Sequence, residues 1–211
     1  MATHLVWDWN GTLLNDFDAV VHASNEALIA FGGSGLDAET HRRRFRRPLA
    51  AFYGERLGRT MSEPEFNRLN ELFNAVYREQ LPQCKLSDGA REAMASWEGT
   101  QSLLSMSNHD DLVPLVTGYG LLDLFSRVDG LREPTDIGKH RYLVNHLKEL
   151  NTAASDVVMI GDSLDDAAAA VEAGAACVLV SGGTTAVDLL EASGHPVAHS
   201  LTDAVALAKA A

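Results

Sequence analysis

Short apolar runs that end in polar or turn-forming residues recur along the chain, and they predict buried strands. The first run, residues 4–7 (HLVW), leads into Asp8 and the turn dipeptide Asn10-Gly11. From about residue 87 onward, stretches with apolar residues at helical spacing separate such runs. Continuously apolar strands that alternate with helices predict a parallel α/β sheet covered on both faces. The four later runs are residues 102–106, 156–160, 176–180 and, more weakly, 196–198.

The segment from residue 16 to residue 84 breaks this alternation. It contains no convincing strand, and its apolar residues form two amphipathic stripes, from Phe17 to Phe31 and from Phe66 to Tyr77. We expect two short helices between the stripes, near residues 42–47 and 49–57. The pattern therefore predicts a Rossmann-like α/β core of residues 1–15 and 85–211, with a small all-helical cap, residues 16–84, inserted after the first strand.

Composition narrows the functional classes. The chain has 211 residues, 46% of them apolar and 22% charged, as in an ordinary globular protein. No apolar run approaches the roughly 18 residues of a membrane helix, and the amino terminus does not resemble a secretory signal. Cys84 and Cys177 have no metal-binding spacing, so we expect reduced thiols and a cytoplasmic protein. The net charge of −12 argues against nucleic-acid and membrane partners, but it allows a local pocket for a small anion.

Polar residues that could carry chemistry follow the apolar runs. In open α/β sheets, ligands bind at the carboxyl ends of the strands. Two carboxylates from different strand ends, with a lysine and a hydroxyl, suit Mg²⁺-assisted phosphoryl transfer. A carboxylate can also attack phosphorus itself. The candidates are Asp8, Asn10 and Thr12 after the first run, Ser107, Asn108 and His109 after the second, Asp162, Ser163, Asp165 and Asp166 after the third, and Lys139 between the last two groups.

Four of these segments resemble, in order, the motifs of the haloacid dehalogenase superfamily. Residues 8–13 (DWNGTL) resemble the first motif, DxDGTL, and Ser107-Asn108 resembles the second, a Ser or Thr that closes a strand. Lys139 resembles the third motif, and residues 161–166 (GDSLDD) resemble the fourth. The helical insert resembles the C1 cap of that family. The resemblance covers essentially the whole chain and is closest to the phosphoglycolate phosphatase-like branch.

This resemblance implies a Mg²⁺-dependent hydrolase that acts on a small phosphorylated metabolite through an aspartyl-phosphate. Asp8 would be the nucleophile, and Lys139 would bridge its carboxylate and the phosphate. Asp166 would orient Lys139 or a metal-bound water. The implied substrate contacts are Thr12, Ser107 and Asn108, and the implied metal ligands are Asp8, the backbone carbonyl of Asn10, Asp162 and Asp166.

The chain departs from the family pattern at Asn10. Phosphatases of this family carry an aspartate there, which protonates the leaving alcohol and later activates water. An asparagine side chain neither gives nor takes a proton at neutral pH, and general acid–base catalysis is worth about 10²–10⁴ in rate. We therefore expect slow hydrolysis, an easy leaving group, or replacement by another acid, with His22 and His109 as candidates. The alternatives are a phosphotransferase and a non-catalytic phosphate-binding relative.

Two other chemistries of the superfamily also lack that aspartate, and the sequence disfavours both. Phosphonate hydrolases use a cap lysine, but residues 16–84 contain none. Haloacid dehalogenases lack the Gly-Asp pair of the fourth motif, which is intact here as Gly161-Asp162. A hydrolase acting on phosphate esters remains the leading interpretation.

Residues 42–47 (RRRFRR) concentrate five arginines in six positions. On a helix, Arg42, Arg43, Arg46 and Arg47 would share one face. That face could be solvated, or it could place Arg46 and Arg47 over the active site as contacts for an anionic group of the substrate. A nucleic-acid site is the weakest interpretation, because the patch is short and has a single aromatic neighbour.

Overall fold

The computed structural model describes residues 2–132 and 138–211. Its helices and strands alternate along the second half of the chain, as the apolar pattern predicts. The strands are β1 (His4–Trp7), β2 (Leu14–Asn15), β3 (Lys85–Leu86), β4 (Thr100–Asn108), β5 (Val128–Leu131), β6 (Val157–Gly161), β7 (Ala176–Val180) and β8 (Val197–Ala198). The helices are α1 (Phe17–Ala30), α2 (Ala38–Arg44), α3 (Leu49–Leu57), α4 (Glu63–Gln80), α5 (Ala90–Ser96), α6 (His109–Gly118), α7 (His140–Leu150), α8 (Leu164–Ala173), α9 (Val187–Ala192) and α10 (Leu201–Lys209).

Six of the strands form one parallel sheet in the order β5-β4-β1-β6-β7-β8. Strand β1 lies in the middle, between β4 and β6, and all four of its residues are buried. Two clusters of apolar side chains cover the two faces of this sheet. The predicted parallel α/β fold is therefore confirmed, and the carboxyl ends of β1, β4 and β6 lie side by side.

The sequence pattern did not predict strands β2, β3 and β5. Strand β5 reads VDGL, and its Asp129 and Gly130 interrupt the apolar run on which the prediction depended. Asp129 accepts a hydrogen bond from the buried His146 ring, which satisfies the carboxylate inside the sheet layer. Strands β2 and β3 have two residues each and pair antiparallel where the chain leaves β1 and returns to the sheet.

Between β2 and β3 the chain forms helices α1 to α4, which have an apolar cluster of their own. The helix that we predicted near residues 42–47 is wrong in its bounds. Helix α2 ends at Arg44, and Phe45 is extended. Pro48 has no N–H to donate to the Arg44 carbonyl and disfavours helical geometry at Arg47, so a helix cannot continue through this segment into α3. Arg46 and Arg47 therefore do not share a helix face with Arg42 and Arg43.

His41 lies in this apolar cluster, packed against Phe17, Phe45 and Phe52. It is fully buried, and its Nδ1 atom has no hydrogen-bond partner among the described residues. Burial, with a smaller effect of Arg42, lowers the pKa of His41 to about 4. The neutral ring is the folded form, so protonation favours the unfolded chain.

We predict that His41→Leu flattens the pH dependence of stability. The wild-type His41 destabilises the fold as pH falls from its ordinary pKa of 6.5 towards about 4, a loss of about 2 kcal/mol at about pH 5. Urea unfolding of both proteins at about pH 8 and pH 5 measures this difference. Two unfolding free energies that change in parallel with pH would contradict the assignment.

None of the helices in the described ranges is long and apolar enough to cross a membrane. Cys84 is partly buried and Cys177 is buried, and both are free thiols, as predicted. Burial raises the pKa of Cys84 to about 11, so that its thiolate form is disfavoured.

Candidate active site

Three adjacent strands deliver the polar residues of the site. Asp8 directly follows β1, Ser107 lies at the end of β4, and Asp162 directly follows β6. Because these strands are parallel neighbours, their carboxyl ends bring the three residues to one edge of the sheet. The alternation along β1 turns Trp7 and Trp9 into the core, where both are buried.

Lys139 joins two of the carboxylates. It lies at the amino-terminal end of α7, and its Nζ atom is 2.6 Å from Asp8 Oδ1 and 2.6 Å from Asp166 Oδ1. The lysine side chain is only 2% exposed, and it is one of the largest side chains that are fully buried. Its ammonium group is therefore shielded from water. The sequence placed these three residues in one site, and the structure brings them together.

Asp166 is held by the start of helix α8. Ser163 caps this helix, and a reciprocal capping box links Ser163 and Asp166. One carboxylate oxygen of Asp166 accepts from the Ser163 backbone and hydroxyl, while the other accepts from Lys139. Asp166 is therefore rigid and orients the ammonium. Asp165, in the same first helical turn, is placed where the helix dipole favours a carboxylate.

Asp162 lies in a tight cradle. Its Oδ2 atom accepts from the Thr184 backbone N–H at 2.6 Å and from the Thr184 hydroxyl at 2.7 Å. A Cβ atom on Gly11 or Gly183 would come within 2.5 Å of that same oxygen, so both positions require glycine. The close contact with the Asp162 carboxylate is the packing reason for glycine at position 183.

Thr12 is placed differently from the substrate contact that we expected. It is buried, does not line the cavity described below, and donates its hydroxyl to Asp162 Oδ1 at 3.2 Å. Thr12 thus orients a carboxylate of the site, together with Thr184. Direct contact between Thr12 and a substrate stays a prediction without support from this geometry.

The site concentrates buried negative charge. Asp8, Asp162 and Asp166 each offer a carboxylate oxygen, and these oxygens lie within 4.8 Å of one another. Burial and the Asp166 charge raise the pKa of Asp8, against the opposing effect of Lys139. The same causes raise the pKa of Asp162 to about 6. Burial lowers the pKa of Lys139, but the charges of Asp166 and Asp8 outweigh it and raise that pKa.

These residues fit a hard divalent cation. Lys139 compensates one of the three carboxylates and leaves two buried negative charges, which are costly in a site of low dielectric constant. A cation bound by carboxylate oxygens would supply the missing counter-charge. The donor set consists of the carboxylates of Asp8, Asp162 and Asp166. With the backbone carbonyl of Asn10, two residues after Asp8, it is the set of metal ligands that the motifs implied.

Asn10 is fixed by four side chains. Its amide nitrogen donates to Asp16 Oδ2 at 2.7 Å and to the Tyr77 hydroxyl at 2.8 Å. Its side-chain carbonyl oxygen, Oδ1, accepts hydrogen bonds from the hydroxyls of Ser107, at 2.6 Å, and Ser105, at 3.1 Å. All hydrogen-bonding capacity of this amide is therefore used within the protein.

Asp16 and Tyr77 are parts of the site that the sequence did not reveal. Asp16 precedes α1 but does not cap it; its side chain instead accepts from Gly11 N, Asn10 and the Tyr77 hydroxyl. Burial raises the pKa of Asp16. Tyr77 comes from α4, and we had interpreted it only as part of an apolar stripe. The hydroxyl group of the last residue in that stripe was the one sign in the sequence that this residue could belong to the site.

A cavity of about 820 Å³ opens over the site. Its floor includes the strand-end residues Asp8, Ser107 and Asn108, and Lys139 from the start of α7. The side chain of Asn108 caps helix α6, which leaves its backbone at the cavity. The opposite wall belongs to α4 and to the segment around the arginine cluster. His22 and His109, which we considered as replacement acids, do not line this cavity.

The arginine cluster ties the helical insert to the α/β core. Arg42 donates to the backbone carbonyls of Gly182 and Gly183, Arg43 pairs with Asp188, and Arg47 lies 3.4 Å from Asp165. The sequence did not predict these contacts of Arg42, Arg43 and Arg47 with the α/β core.

Arg46 and Arg47, the predicted substrate contacts, both line the cavity. Arg46 pairs with Glu55, and Arg47 with Asp165. Arg44 also lines the cavity, and among the cluster arginines that line it, Arg44 is the one without an acidic partner in the described residues. An anionic group of a substrate would meet Arg44 without displacing an acidic side chain.

Comparison with known proteins agrees with the motifs. Residues 137–204 match the HAD-hydrolase-like family model. No curated protein matches the sequence.

The fold has relatives of known structure along the whole chain. A predicted phosphatase from Clostridium acetobutylicum is 15% identical, with a TM-score of 0.88 and complete coverage of both chains. A predicted phosphoglycolate phosphatase from Haemophilus somnus is 19% identical, with a TM-score of 0.77 and 98% coverage of each chain. A haloacid dehalogenase-like protein from Agrobacterium tumefaciens is 18% identical, with a TM-score of 0.78, and the alignment covers 100% of this chain and 99% of that one. The chain thus shares its fold with haloacid dehalogenase-like proteins along its whole length, and residues 137–204 match the HAD-hydrolase-like family in sequence.

Proposed function

We propose that this protein is a phosphatase that hydrolyses a small phosphate monoester through a phosphorylated Asp8. The observation that carries the proposal is the Asp8 carboxylate, held 2.6 Å from the Lys139 ammonium at the floor of a cavity. The relatives described as phosphatases support the same reaction class.

The reaction has two steps. A carboxylate oxygen of Asp8 attacks phosphorus, the ester P–O bond breaks, and the leaving alkoxide departs with its electron pair. Water then attacks the aspartyl-phosphate, which releases inorganic phosphate and restores Asp8. In this proposal Lys139, the Asn108 backbone and Ser107 stabilise charge on the phosphoryl oxygens, and the Ser107 hydroxyl exchanges its hydrogen bond to Asn10 for one to the substrate.

Mg²⁺ would be held by Asp8, Asp162, Asp166 and the Asn10 carbonyl. When bound, it would neutralise negative charge on the carboxylates and on the phosphoryl group. Thr12 and Thr184 fix the orientation of Asp162, and the capping box fixes Asp166, so the ligands are preorganised.

We predict that Mg²⁺ raises the unfolding temperature of the wild type but not of Asp162→Asn. A cation at about a hundred times its dissociation constant stabilises a fold by about 2.7 kcal/mol. Asp165→Asn is the matched control, because Asp165 lies in the same turn but outside the carboxylate trio. Equal Mg²⁺ shifts in wild type and Asp162→Asn would contradict the assignment.

The asparagine at position 10 determines the rate of ester hydrolysis that we expect. Since no carboxyl group stands at position 10, the leaving alkoxide takes its proton from water, so alkyl phosphates are hydrolysed slowly and acyl or aryl phosphates faster. The same feature supports the second candidate, a phosphotransferase or a binding protein with little turnover. The intact arrangement of Asp8, Lys139 and Asp162 favours catalysis.

Residues 16–84 are proposed to act as a cap that excludes water from the reaction. Arg46 and Arg47 are retained as proposed substrate contacts, tested by the kcat/KM of Arg46→Ala and Arg47→Ala. We also propose that the protein works in the cytoplasm, where its two free thiols stay reduced.

The test of this function is phosphate release from acetyl phosphate, p-nitrophenyl phosphate and a panel of alkyl phosphates, with Mg²⁺ and with EDTA. We expect Mg²⁺-dependent release, fastest for acetyl phosphate. The absence of release from all compounds would reject the phosphatase.

A further inference from the structure

The cavity wall formed by α4 carries a row of amide side chains that has no role in the chemistry at Asp8. Asn70 and Asn74 are four residues apart and therefore neighbours on one face of the helix. Both line the cavity and both are half-buried. Neither amide has a hydrogen-bond partner among the described residues. Two half-buried amides that face a cavity without partners are free to bind a ligand.

This row starts beside Asn10, two residues after the proposed nucleophile, and it lines the same cavity as Asp8. Tyr77, on the same face of α4, is anchored to Asn10 and Asp16. From Tyr77, Asn74 lies about 4.5 Å and Asn70 about 10.5 Å along the helix axis. Asn74 and then Asn70 therefore extend this cavity wall away from the end of α4 that contacts Asn10. Asn67, the next amide of the row, is exposed and stands about 15 Å from Tyr77 along the axis.

An aromatic row runs beside the amides. Phe73 and Tyr77 stack with ring centroids 5.8 Å apart and an interplanar angle of 6°. Phe66 continues this row on the preceding turns and also lines the cavity. The wall therefore combines apolar ring surface with amides that each offer two N–H donors and a carbonyl acceptor.

The charges near this wall are at its ends or are neutralised. Glu63 and Arg78 are the charged cavity residues of α4, and Arg78 pairs with Asp111 at 2.8 Å. A carboxylate or a second phosphate on the leaving group would call for a free cation. The middle of α4 carries none, and the unpaired cavity arginine, Arg44, belongs to α2 rather than to this helix. A hydroxyl group, which both donates and accepts, matches an amide.

We propose that Asn70 and Asn74, with the Phe73 ring, form the subsite for the leaving group, and that this group is uncharged and rich in hydroxyls. The substrate is then the phosphate ester of a sugar or a polyol rather than of a hydroxy acid. This inference rests on the proposed phosphatase function and adds its substrate class.

The experiment measures kcat/KM with Mg²⁺ for pentose and hexose phosphates, phosphoglycolate, nucleoside 5′-monophosphates and p-nitrophenyl phosphate. The proteins are the wild type, Asn70→Ala, Asn74→Ala and, as the matched control, Asn67→Ala. We expect a sugar phosphate to be preferred over phosphoglycolate. Each of the two inner substitutions should lower its kcat/KM about five- to tenfold, the worth of one neutral hydrogen bond.

With p-nitrophenyl phosphate, which has no hydroxyls to recognise, Asn70→Ala and Asn74→Ala should lose much less than with the sugar phosphate. Asn67 also lines the cavity but is exposed and farther along α4, so Asn67→Ala should lose less than either inner variant with the sugar phosphate. Equal losses of Asn70→Ala and Asn74→Ala on p-nitrophenyl phosphate and on the sugar phosphate would overturn the subsite. So would a preference for phosphoglycolate that Arg44→Ala removes, or a preference for nucleotides. Failure to hydrolyse even p-nitrophenyl phosphate would instead reject the phosphatase function itself.

Discussion

Asp8→Asn is expected to lower phosphate release by about four orders of magnitude or more. The amide keeps the shape of the carboxylate but is not a nucleophile towards phosphorus, and it weakens the contact with Lys139 Nζ. Steady-state release from acetyl phosphate and p-nitrophenyl phosphate measures the effect.

Folding of this variant can be checked independently. Burial and the charge of Asp166 raise the pKa of Asp8, so the ionised carboxylate is disfavoured in the fold without a cation. We therefore expect Asp8→Asn to unfold, in EDTA, at a temperature no lower than the wild type. A variant that is folded and keeps more than about a hundredth of the wild-type rate would show that Asp8 is not the nucleophile.

Exchanging the residues at positions 10 and 16 is expected to accelerate the hydrolysis of alkyl phosphates by about 10²–10⁴, the worth of a general acid. Asn10→Asp alone places a carboxyl oxygen where the amide now donates to Asp16 Oδ2 at 2.7 Å. Two carboxyl groups at that distance must share a proton, so the single variant should gain less.

The double variant Asn10→Asp/Asp16→Asn reverses the direction of that hydrogen bond and removes the conflict. The new carboxylate keeps the donors Ser105 and Ser107, and the new amide can still accept from Gly11 N. Acetyl phosphate is the control substrate, because its leaving group needs no proton, and its rate should change little. Equal gains on acetyl phosphate and alkyl phosphates, or no gain on either, would contradict the role that we give to position 10.

Most of the reaction centre could be predicted from sequence because its residues follow apolar strands. Asp8, Ser107 and Asp162 each close a buried run, and parallel neighbours bring such ends together. Lys139 precedes a strongly amphipathic helix, and the motif spacing made it recognisable. The placement of these groups depends on topology, which the alternation of strands and helices fixes.

The contacts between the insert and the core could not be predicted in the same way. Asp16 belongs to none of the recognised motifs, and only the three-dimensional path of α1 and α4 shows that it contacts Asn10 and Tyr77. We expected the arginine cluster on one helix face. Helix α2 instead ends at Arg44, and Arg47 pairs with Asp165 of the α/β core. Residues of the insert and of the core that contact each other lie far apart in the sequence. Such contacts leave no periodic pattern of apolar residues in either segment, so the sequence does not reveal them.

The most direct test of the central claim is the mass of the intact protein after rapid mixing with acetyl phosphate and Mg²⁺ and an acid quench. The account predicts a species heavier by one phosphoryl group, with the modification mapped to Asp8 and absent from Asp8→Asn. Phosphate release without any phosphorylated protein, or phosphorylation at another residue, would contradict it.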